Sequence, residues 1–303
     1  MLITSSTKIT FPGGAISGAS KILFTKKISP AAPTILVITE STPFHPLDHS
    51  WTDQPSDKGT ITINGKTITV QQCLTAALNN QTEEFLLDQE IKNRKIRRDD
   101  PNWFFLVAHL IEDPNLDLVG QKANLAVDVD YRTALSKAHT ASHFAALALN
   151  KVTANLWKKP QEQLDALGNP NLDREAIATS TIGIDASIDQ YHCGKSLRKK
   201  GFDSAQFFSA DNLKQIETKI NQQLHEWFSS DKLNISMSPH ETYLNEKREW
   251  TCVFPDGEKA VIPCGGTHYL AISAQDKIIV TLEKNTDTDF TIISKYLEYH
   301  KLR

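Results

Sequence analysis

The chain of 303 residues has little of several features that mark whole classes of protein. Its four cysteines are too few for the disulfide framework of a small secreted domain and suit a reducing compartment. No apolar run is long enough to cross a bilayer, and no basic segment followed by an apolar run opens the chain. We therefore expect a cytoplasmic protein that does not bind membranes.

The chain also has little net charge and no complete phosphate-binding loop. Its formal net charge is −3, so any binding of nucleic acid must depend on local basic patches. Gly194-Lys195-Ser196 ends like a Walker loop, but Asp189 stands five positions earlier, where that motif needs glycine. We therefore expect no nucleotide cofactor.

Two pairs of metal-binding side chains stand out against this background. His139 and His143 lie in an alanine-rich stretch, and on a helix a spacing of four puts both imidazoles on one face. Cys264 and His268 have the same spacing, and the glycines between them allow a tight turn. One sulfur and three nitrogens favour Zn²⁺ over magnesium or calcium. The sequence therefore predicts one zinc site built from both pairs.

The spacing by itself does not decide what the zinc does. His45 and His49 are also four residues apart, but Pro46 disfavours a regular helix there. Four protein ligands form the closed shell of structural zinc, whereas catalytic zinc keeps one position open for water or substrate. Both roles remain open from the ligand set alone.

The segments that carry these ligands resemble the editing domain of alanyl-tRNA synthetase and its free-standing AlaX-type relatives. The related domain of threonyl-tRNA synthetase shares the pattern. Four segments of this chain carry the resemblance: His139-Thr-Ala-Ser-His143, Pro263-Cys-Gly-Gly-Thr-His268, Asp57-Lys-Gly-Thr-Ile61 and Ile216-Glu-Thr-Lys-Ile-Asn221.

The resemblance implies a zinc-dependent hydrolase that deacylates mischarged tRNA of the alanine isoacceptor in trans. The implied substrates are seryl-tRNA and also glycyl-tRNA. Thr140 is the residue that would sense the serine hydroxyl, and Gly265, Gly266 and Thr267 would bind the ester or the terminal ribose. An ester needs only an activated water and a stabilised oxyanion, which a zinc site with polar neighbours can provide.

One segment departs from the family pattern. Relatives carry Ser-Gly-Gly-Gln where this chain has Trp51-Thr52-Asp53-Gln54, so Gln54 is retained and both glycines are replaced. The local backbone must therefore differ. His45, His49 and Asp53 become candidates for acid–base or supporting roles, because imidazoles titrate near neutral pH. We take His49 and Gln54, with Thr140, as the candidate catalytic residues.

The predicted fold class is α+β, with a small β-barrel subdomain over residues 1–130 and an α+β zinc-binding editing domain over residues 131–303. In the first part, short strands are broken by turn residues, and the clearest hairpin runs from Thr60 to Val70 around Asn64-Gly65. Another strand is predicted at Trp103–Val107.

The second part is predicted to begin with the alanine-rich helix that carries His139. An amphipathic helix capped by Asp211 follows, then a helix start at Ser238 and strands on both sides of Pro255-Asp256-Gly257. Ile278–Leu282 is predicted to be a buried strand. We interpret residues 157–205 as a surface excursion.

Two basic patches are candidates for contact with tRNA. The first, which we assign to tRNA binding, consists of Lys195, Arg198, Lys199 and Lys200. The second consists of Lys92, Arg94, Lys95, Arg97 and Arg98. The alternative for both is a solvated charged face.

Two other functions compete with tRNA editing. One is a zinc hydrolase of another small acyl ester or amide, in which the altered Gln54 segment serves a different substrate. The other is a non-catalytic RNA-binding module with structural zinc. The sequence makes no prediction of the oligomeric state.

Overall fold

The structure is a computed structural model that describes residues 2–28, 34–112 and 118–298. The chain forms two compact units. The first comprises Met1–Thr133, Met237–Glu249 and Pro263–Thr267, and the second comprises Ala134–Ser236, Trp250–Ile262 and His268–Arg303. The predicted domain boundary after residue 130 falls within a helix that begins at Val129.

Strands dominate the described part of the chain. Their bounds are β1 Lys8–Ile9, β2 Ser17–Lys27, β3 Thr34–Thr39, β4 Ser41–Thr42, β5 Gly59–Ile63, β6 Lys66–Asn79, β7 Phe85–Leu87, β8 Trp103–Glu112, β9 Lys122–Val127, β10 Ile177–Ile182, β11 Ser187–His192, β12 Asn234–Ser238, β13 Thr242–Tyr243, β14 Glu249–Val253, β15 Lys259–Pro263, β16 Lys277–Lys284 and β17 Asp289–Leu297. The helices are α1 Gln89–Asn93, α2 Val129–Thr153, α3 Leu172–Ala176, α4 Lys195–Lys200, α5 Ser204–Phe207 and α6 Ala210–Phe228, with short 3-10 turns at Phe11–Gly13 and Ala154–Leu156.

The first unit is built on a sheet of order β5-β9-β2-β3-β8-β6-β7. Because β5 also pairs with β6, six of these strands close into a ring, and β7 extends it along one part of β6. Strands such as β3 are buried on both faces. Ile35 and Val37 point to one face and belong to the larger of the two apolar cores that flank β3. The prediction of an α+β fold is confirmed, and strands are the main elements of its first part among the described residues.

The predicted hairpin is confirmed in register. Ile63 of β5 pairs with Lys66 of β6, so the connection is the two-residue Asn64-Gly65 turn. Both turn residues have positive φ, 51° at Asn64 and 80° at Gly65, which is the conformation of a type I′ turn. Asparagine and glycine tolerate this conformation better than other residues do.

The Asp57–Ile61 segment has a structural role in the first unit. The buried Asp57 carboxylate receives hydrogen bonds from the guanidinium of Arg132, with 2.7 Å from Nε to Oδ1, and from the amide of His45 at 2.5 Å. A Cβ atom at Gly59 would lie 2.2 Å from the carbonyl oxygen of Ala126 on the paired strand β9. Glycine is therefore needed here so that β5 and β9 can approach each other.

The second unit contains a four-stranded sheet of order β10-β11-β17-β16, with all three pairings antiparallel. A three-stranded sheet has the order β12-β14-β15. β10 and β11 lie within residues 157–205, and β11 pairs along its whole length with β17. Our interpretation of this segment as a surface excursion is therefore wrong, because half of one sheet comes from it.

Helix α6 covers the edge strand β16. Asn221 donates to the carbonyl of Val280 and accepts from its amide, both at 2.8 Å. Glu217 accepts from the amide of Leu282 at 2.9 Å. The Ile216–Asn221 segment therefore satisfies backbone groups that an edge strand leaves unpaired.

Three details of the predicted elements need correction. The residue that precedes α6 is Ser209, and Asp211 lies in the first turn instead of capping it. Ser238 ends strand β12, and the following residues lead into β13, so the predicted helix start is wrong. β16 is a strand as predicted, but it buries only alternate residues and leaves Ile279 46% exposed. Among the described residues, no helix is both long and apolar enough to span a membrane.

Candidate metal centre

His139 and His143 lie one turn apart on α2, as their spacing predicts. Their ring centroids are 5.0 Å apart. α2 buries small side chains on its inner face, including Ala138, Ala141 and Ala145, so the helix packs closely against its neighbours. His143 also contacts the ring of Trp250, edge to face at 5.0 Å.

The third histidine joins this pair. The ring of His268 lies 4.4 Å from that of His139 and 4.6 Å from that of His143. Cys264 precedes His268 by four residues, and the ligand atoms of all four side chains lie within 4.8 Å of one another. The four residues predicted as metal ligands are therefore brought together, and their His₃Cys donor set is compatible with zinc.

The protonation of the histidines suits metal binding. Burial lowers the pKa of His139 to about 4, and burial together with His139 lowers the pKa of His143 well below its usual value. Both rings are therefore neutral at physiological pH, and the neutral imidazole is the form that binds metals. Among the described residues, the buried Nδ1 atom of His143 has no hydrogen-bond partner, so it is available to a metal ion.

Unlike the histidines, Cys264 is not in its metal-binding protonation state until a cation binds. Burial raises the pKa of the Cys264 thiol to about 12, against the opposing effects of a hydrogen bond from the Gly266 amide and of the nearby Arg248. A bound cation deprotonates a coordinating thiol outright. The Gly266 amide and Arg248 are already placed to stabilise that thiolate.

His268 and the following residue, Tyr269, are held by contacts with α2 and with Glu298. The Thr140 hydroxyl lies 3.3 Å from Nδ1 of His268 and accepts from the amide of Tyr269 at 3.0 Å. The Tyr269 hydroxyl donates to Glu298 at 2.7 Å, and Glu298 also pairs with Lys137 at 2.6 Å. If His268 donates its Nδ1 proton to Thr140, Nε2 is left for the metal.

Gln54 forms a two-point contact with Thr267. Its Nε2 donates to the Thr267 hydroxyl at 2.8 Å, and its Oε1 accepts from the Thr267 amide at 3.0 Å. Both residues are buried, so these bonds are shielded from water. Gln54 therefore fixes the backbone next to His268. The predicted contact of Gly265, Gly266 and Thr267 with a substrate stays a prediction, but the Thr267 amide is already used by Gln54.

Arg248 is a supporting residue that the sequence did not reveal. Its carbonyl accepts from the amide of Cys264 at 3.0 Å, and its Nη2 donates to the carbonyl of Gly265 at 3.3 Å. Arg248 as a whole residue is only 7% exposed. It lies in the run Glu246-Lys-Arg-Glu249, which by composition looks like a solvated surface, so nothing in the sequence distinguishes it from its neighbours.

His49 and Asp53 occupy buried or half-buried positions in the first unit. His49 stacks on Phe105 with ring centroids 5.9 Å apart and does not belong to the group of potential ligands found among the described residues. Burial lowers the pKa of His49 and raises that of Asp53 to about 6. Asp53 also influences the pKa of Cys264 electrostatically. The catalytic role of His49 stays a prediction.

The residues predicted to bind tRNA share one short helix of the second unit. Lys195, Arg198, Lys199 and Lys200 are exposed on α4, and its buried residue Leu197 faces the core. Lys200 pairs with Glu175, so its charge is partly neutralised. The helix thus presents cations to solvent, and its contact with RNA stays a prediction.

Comparison with known proteins finds no protein similar to this chain. No model of a known protein family matches the chain, and a search of curated proteins finds none similar to it. The resemblance to the editing domain of alanyl-tRNA synthetase stays a prediction from the four sequence segments.

Proposed function

We propose that the protein is a zinc-dependent hydrolase that removes wrongly attached amino acids from tRNA of the alanine isoacceptor in trans. Seryl-tRNA is the main substrate in this proposal, and glycyl-tRNA is a second one. The observation that carries the proposal is the convergence of three imidazoles and one thiol from two distant parts of the chain. When bound there, zinc would polarise the ester carbonyl and lower the pKa of water.

The residues around the ligands have distinct tasks in this proposal. Gln54 and Thr140 hold the backbone on the two sides of His268, through Thr267 and Tyr269. The Gly266 amide is directed to the sulfur of Cys264. The exposed Gly265 is then the best candidate among the three predicted substrate-binding residues to donate its amide to the ester.

A second candidate function is supported by the ligand count. Four protein ligands can fill a tetrahedral shell, which is the usual form of structural zinc. In that case the protein would be an RNA-binding module whose zinc stabilises the fold. A hydrolase of another small acyl ester is the third possibility, and the replaced glycines before Gln54 are the feature that favours it.

Deacylation assays on seryl-, glycyl- and alanyl-tRNA, with zinc-loaded and zinc-free protein, test these functions together. Editing requires rapid zinc-dependent loss of serine while cognate alanyl-tRNA survives, because the serine hydroxyl can form a hydrogen bond in the site that the methyl group of alanine cannot. Zinc-dependent hydrolysis of small esters without any deacylation supports the third function. Tight RNA binding without turnover supports structural zinc and contradicts the editing proposal.

A further inference from the structure

Trp51 is unusual among the tryptophans of this chain because the residue is 53% exposed. Trp103, Trp227 and Trp250 are buried, and Trp157 is half-buried. The ring of Trp51 is nevertheless oriented, because its side chain makes a hydrogen bond to the carboxylate of Asp53. A large aromatic face is thus presented to solvent in a fixed direction.

The backbone at Trp51 is also fixed. The Oδ1 atom of Asp48 accepts from the amides of Ser50 and Trp51, at 2.8 and 3.3 Å, and from the Ser50 hydroxyl at 2.6 Å. The Oδ2 atom of Asp48 pairs with Arg98 at 2.6 Å. The exposed indole is therefore preorganised before any ligand binds, which lowers the entropic cost of binding a ligand against it.

Positive charge lies close to this segment. Lys92 and Arg98 both lower the pKa of His49, which is two residues before Trp51, so both cations are near it. Among the described residues, Lys92 and Lys95 have no acidic partner, and both are exposed. Arg94 and Arg97, by contrast, pair with Glu84 and Asp99. Lys92 and Lys95 are therefore available to an anionic ligand.

We propose that the exposed face of Trp51 stacks an unpaired base at the single-stranded end of an RNA, while Lys92 contacts its phosphates. An aromatic face beside cations is the combination that binds single-stranded nucleic acid with little dependence on sequence. This inference rests on the proposed function. In that setting the stacked base belongs to the acceptor end of tRNA, and Gln54, three residues further on, holds the backbone beside His268.

The test uses a short unacylated single-stranded RNA that ends in C-C-A, with full-length protein and fluorescence anisotropy as the readout. Each of its three end nucleotides is replaced in turn by an abasic one. Trp51→Ala should weaken binding of the intact RNA by about 5- to 150-fold, the range for loss of one stacked base, whereas Trp51→Phe should keep a large part of the affinity. Tyr243→Ala is the matched control, because Tyr243 is 43% exposed and belongs to the same unit.

A double-mutant comparison identifies stacking directly. One abasic position should weaken binding to the wild-type protein as much as Trp51→Ala does, and should cause no further loss in that variant. The stacking site is overturned if Trp51→Ala weakens the binding of the intact and of every abasic RNA by the same factor, or if it weakens none of them. It is also overturned if the wild-type protein does not bind the RNA. Absence of deacylation by the wild-type protein, with this binding pattern intact, contradicts only the proposed function.

Discussion

At the scale of the residue, Cys264 is the most sensitive test of the metal centre. Replacement of Cys264 by Ala removes the sulfur ligand, so we expect zinc affinity to fall by more than about 100-fold, beyond the loss typical of changes around the ligands. Zinc content and competition with a chromophoric chelator measure this. Cys252→Ala is the control, because it removes a buried thiol that is not a predicted ligand. Full zinc occupancy in Cys264→Ala would show that the ligand assignment is wrong.

His109 gives a prediction for the dependence of stability on pH. Its buried ring contacts the carbonyl of Val37 at 2.9 Å and the hydroxyl of Thr42 at 2.8 Å, and burial lowers its pKa to about 4. The unfolded chain, with a histidine pKa of about 6.5, therefore binds the proton more tightly. The stabilisation is complete above about pH 6.5 and is lost as the pH falls towards 4.

Comparison with His109→Gln isolates this effect, because all other titrating groups are shared. The difference in free energy of unfolding between the two proteins should decrease by about 2 kcal/mol from pH 7.5 to pH 5. Urea unfolding at several pH values measures it. A constant difference over this range would mean that His109 does not titrate on unfolding.

The residue scale also shows what the sequence can and cannot reveal about a site. The two pairs of candidate ligands could be predicted because each pair is local and its spacing fits a helix or a turn. The contacts of Gln54 with Thr267 join residues far apart in sequence, and those of Arg248 with Gly265 depend on a tertiary turn. No local pattern encodes such contacts, so their roles follow only from the fold.

At the scale of the element, the edge strand β16 depends on side chains from α6. Asn221→Ala removes both bonds to Val280 and leaves two backbone groups without partners, so we expect a loss of about 2 kcal/mol or more in the free energy of unfolding. Denaturant unfolding measures the loss. Gln222→Ala on the same helix should change stability by less than about 0.5 kcal/mol, because its side chain is exposed. Equal losses of stability in the two variants would contradict the role of Asn221 in stabilising β16.

Helix α4 gives a test of the predicted interaction with tRNA. If the helix binds phosphates, reversal of charge at Lys195, Arg198 and Lys199 should weaken binding and flatten its dependence on salt. The logarithmic slope should change by about 0.7 to 0.9 for each phosphate that the helix no longer neutralises. Binding of uncharged tRNA at several salt concentrations measures both quantities.

A control for α4 keeps the total change in charge the same. Lys232→Glu, Lys259→Glu and Lys277→Glu reverse three exposed cations elsewhere in the chain. They should leave the salt dependence nearly unchanged. If both triple variants behave alike, α4 is a solvated face.

Errors at this scale have a common physical cause. The Ser238-Pro239-His240-Glu241 run has the composition of a helix start, but Thr242 and Tyr243 pair with β1. β11 pairs with the neighbouring strand β10, but the strand that joins this hairpin to the rest of the sheet, β17, comes about a hundred residues later. In both cases pairing with a distant strand decides the structure, and local preference does not.

At the scale of the whole molecule, zinc is expected to stabilise the folded chain because its ligands come from segments far apart in sequence. Zinc that binds only the folded state adds about 2.7 kcal/mol at a free concentration 100 times Kd. Removal of zinc by a chelator should therefore lower Tm by several degrees. Added zinc should restore Tm and magnesium should not. An unchanged Tm after verified removal of bound zinc would contradict this coupling.

The closed ring of strands in the first unit has a consequence for solubility. Open sheet edges present unpaired amides and carbonyls that can recruit strands of other molecules. β5 has partners on both sides, β9 and β6, so the seam where an open sheet would end is sealed by hydrogen bonds. Any variant that opens this seam, such as a bulky substitution at Gly59, is expected to aggregate through edge-to-edge association.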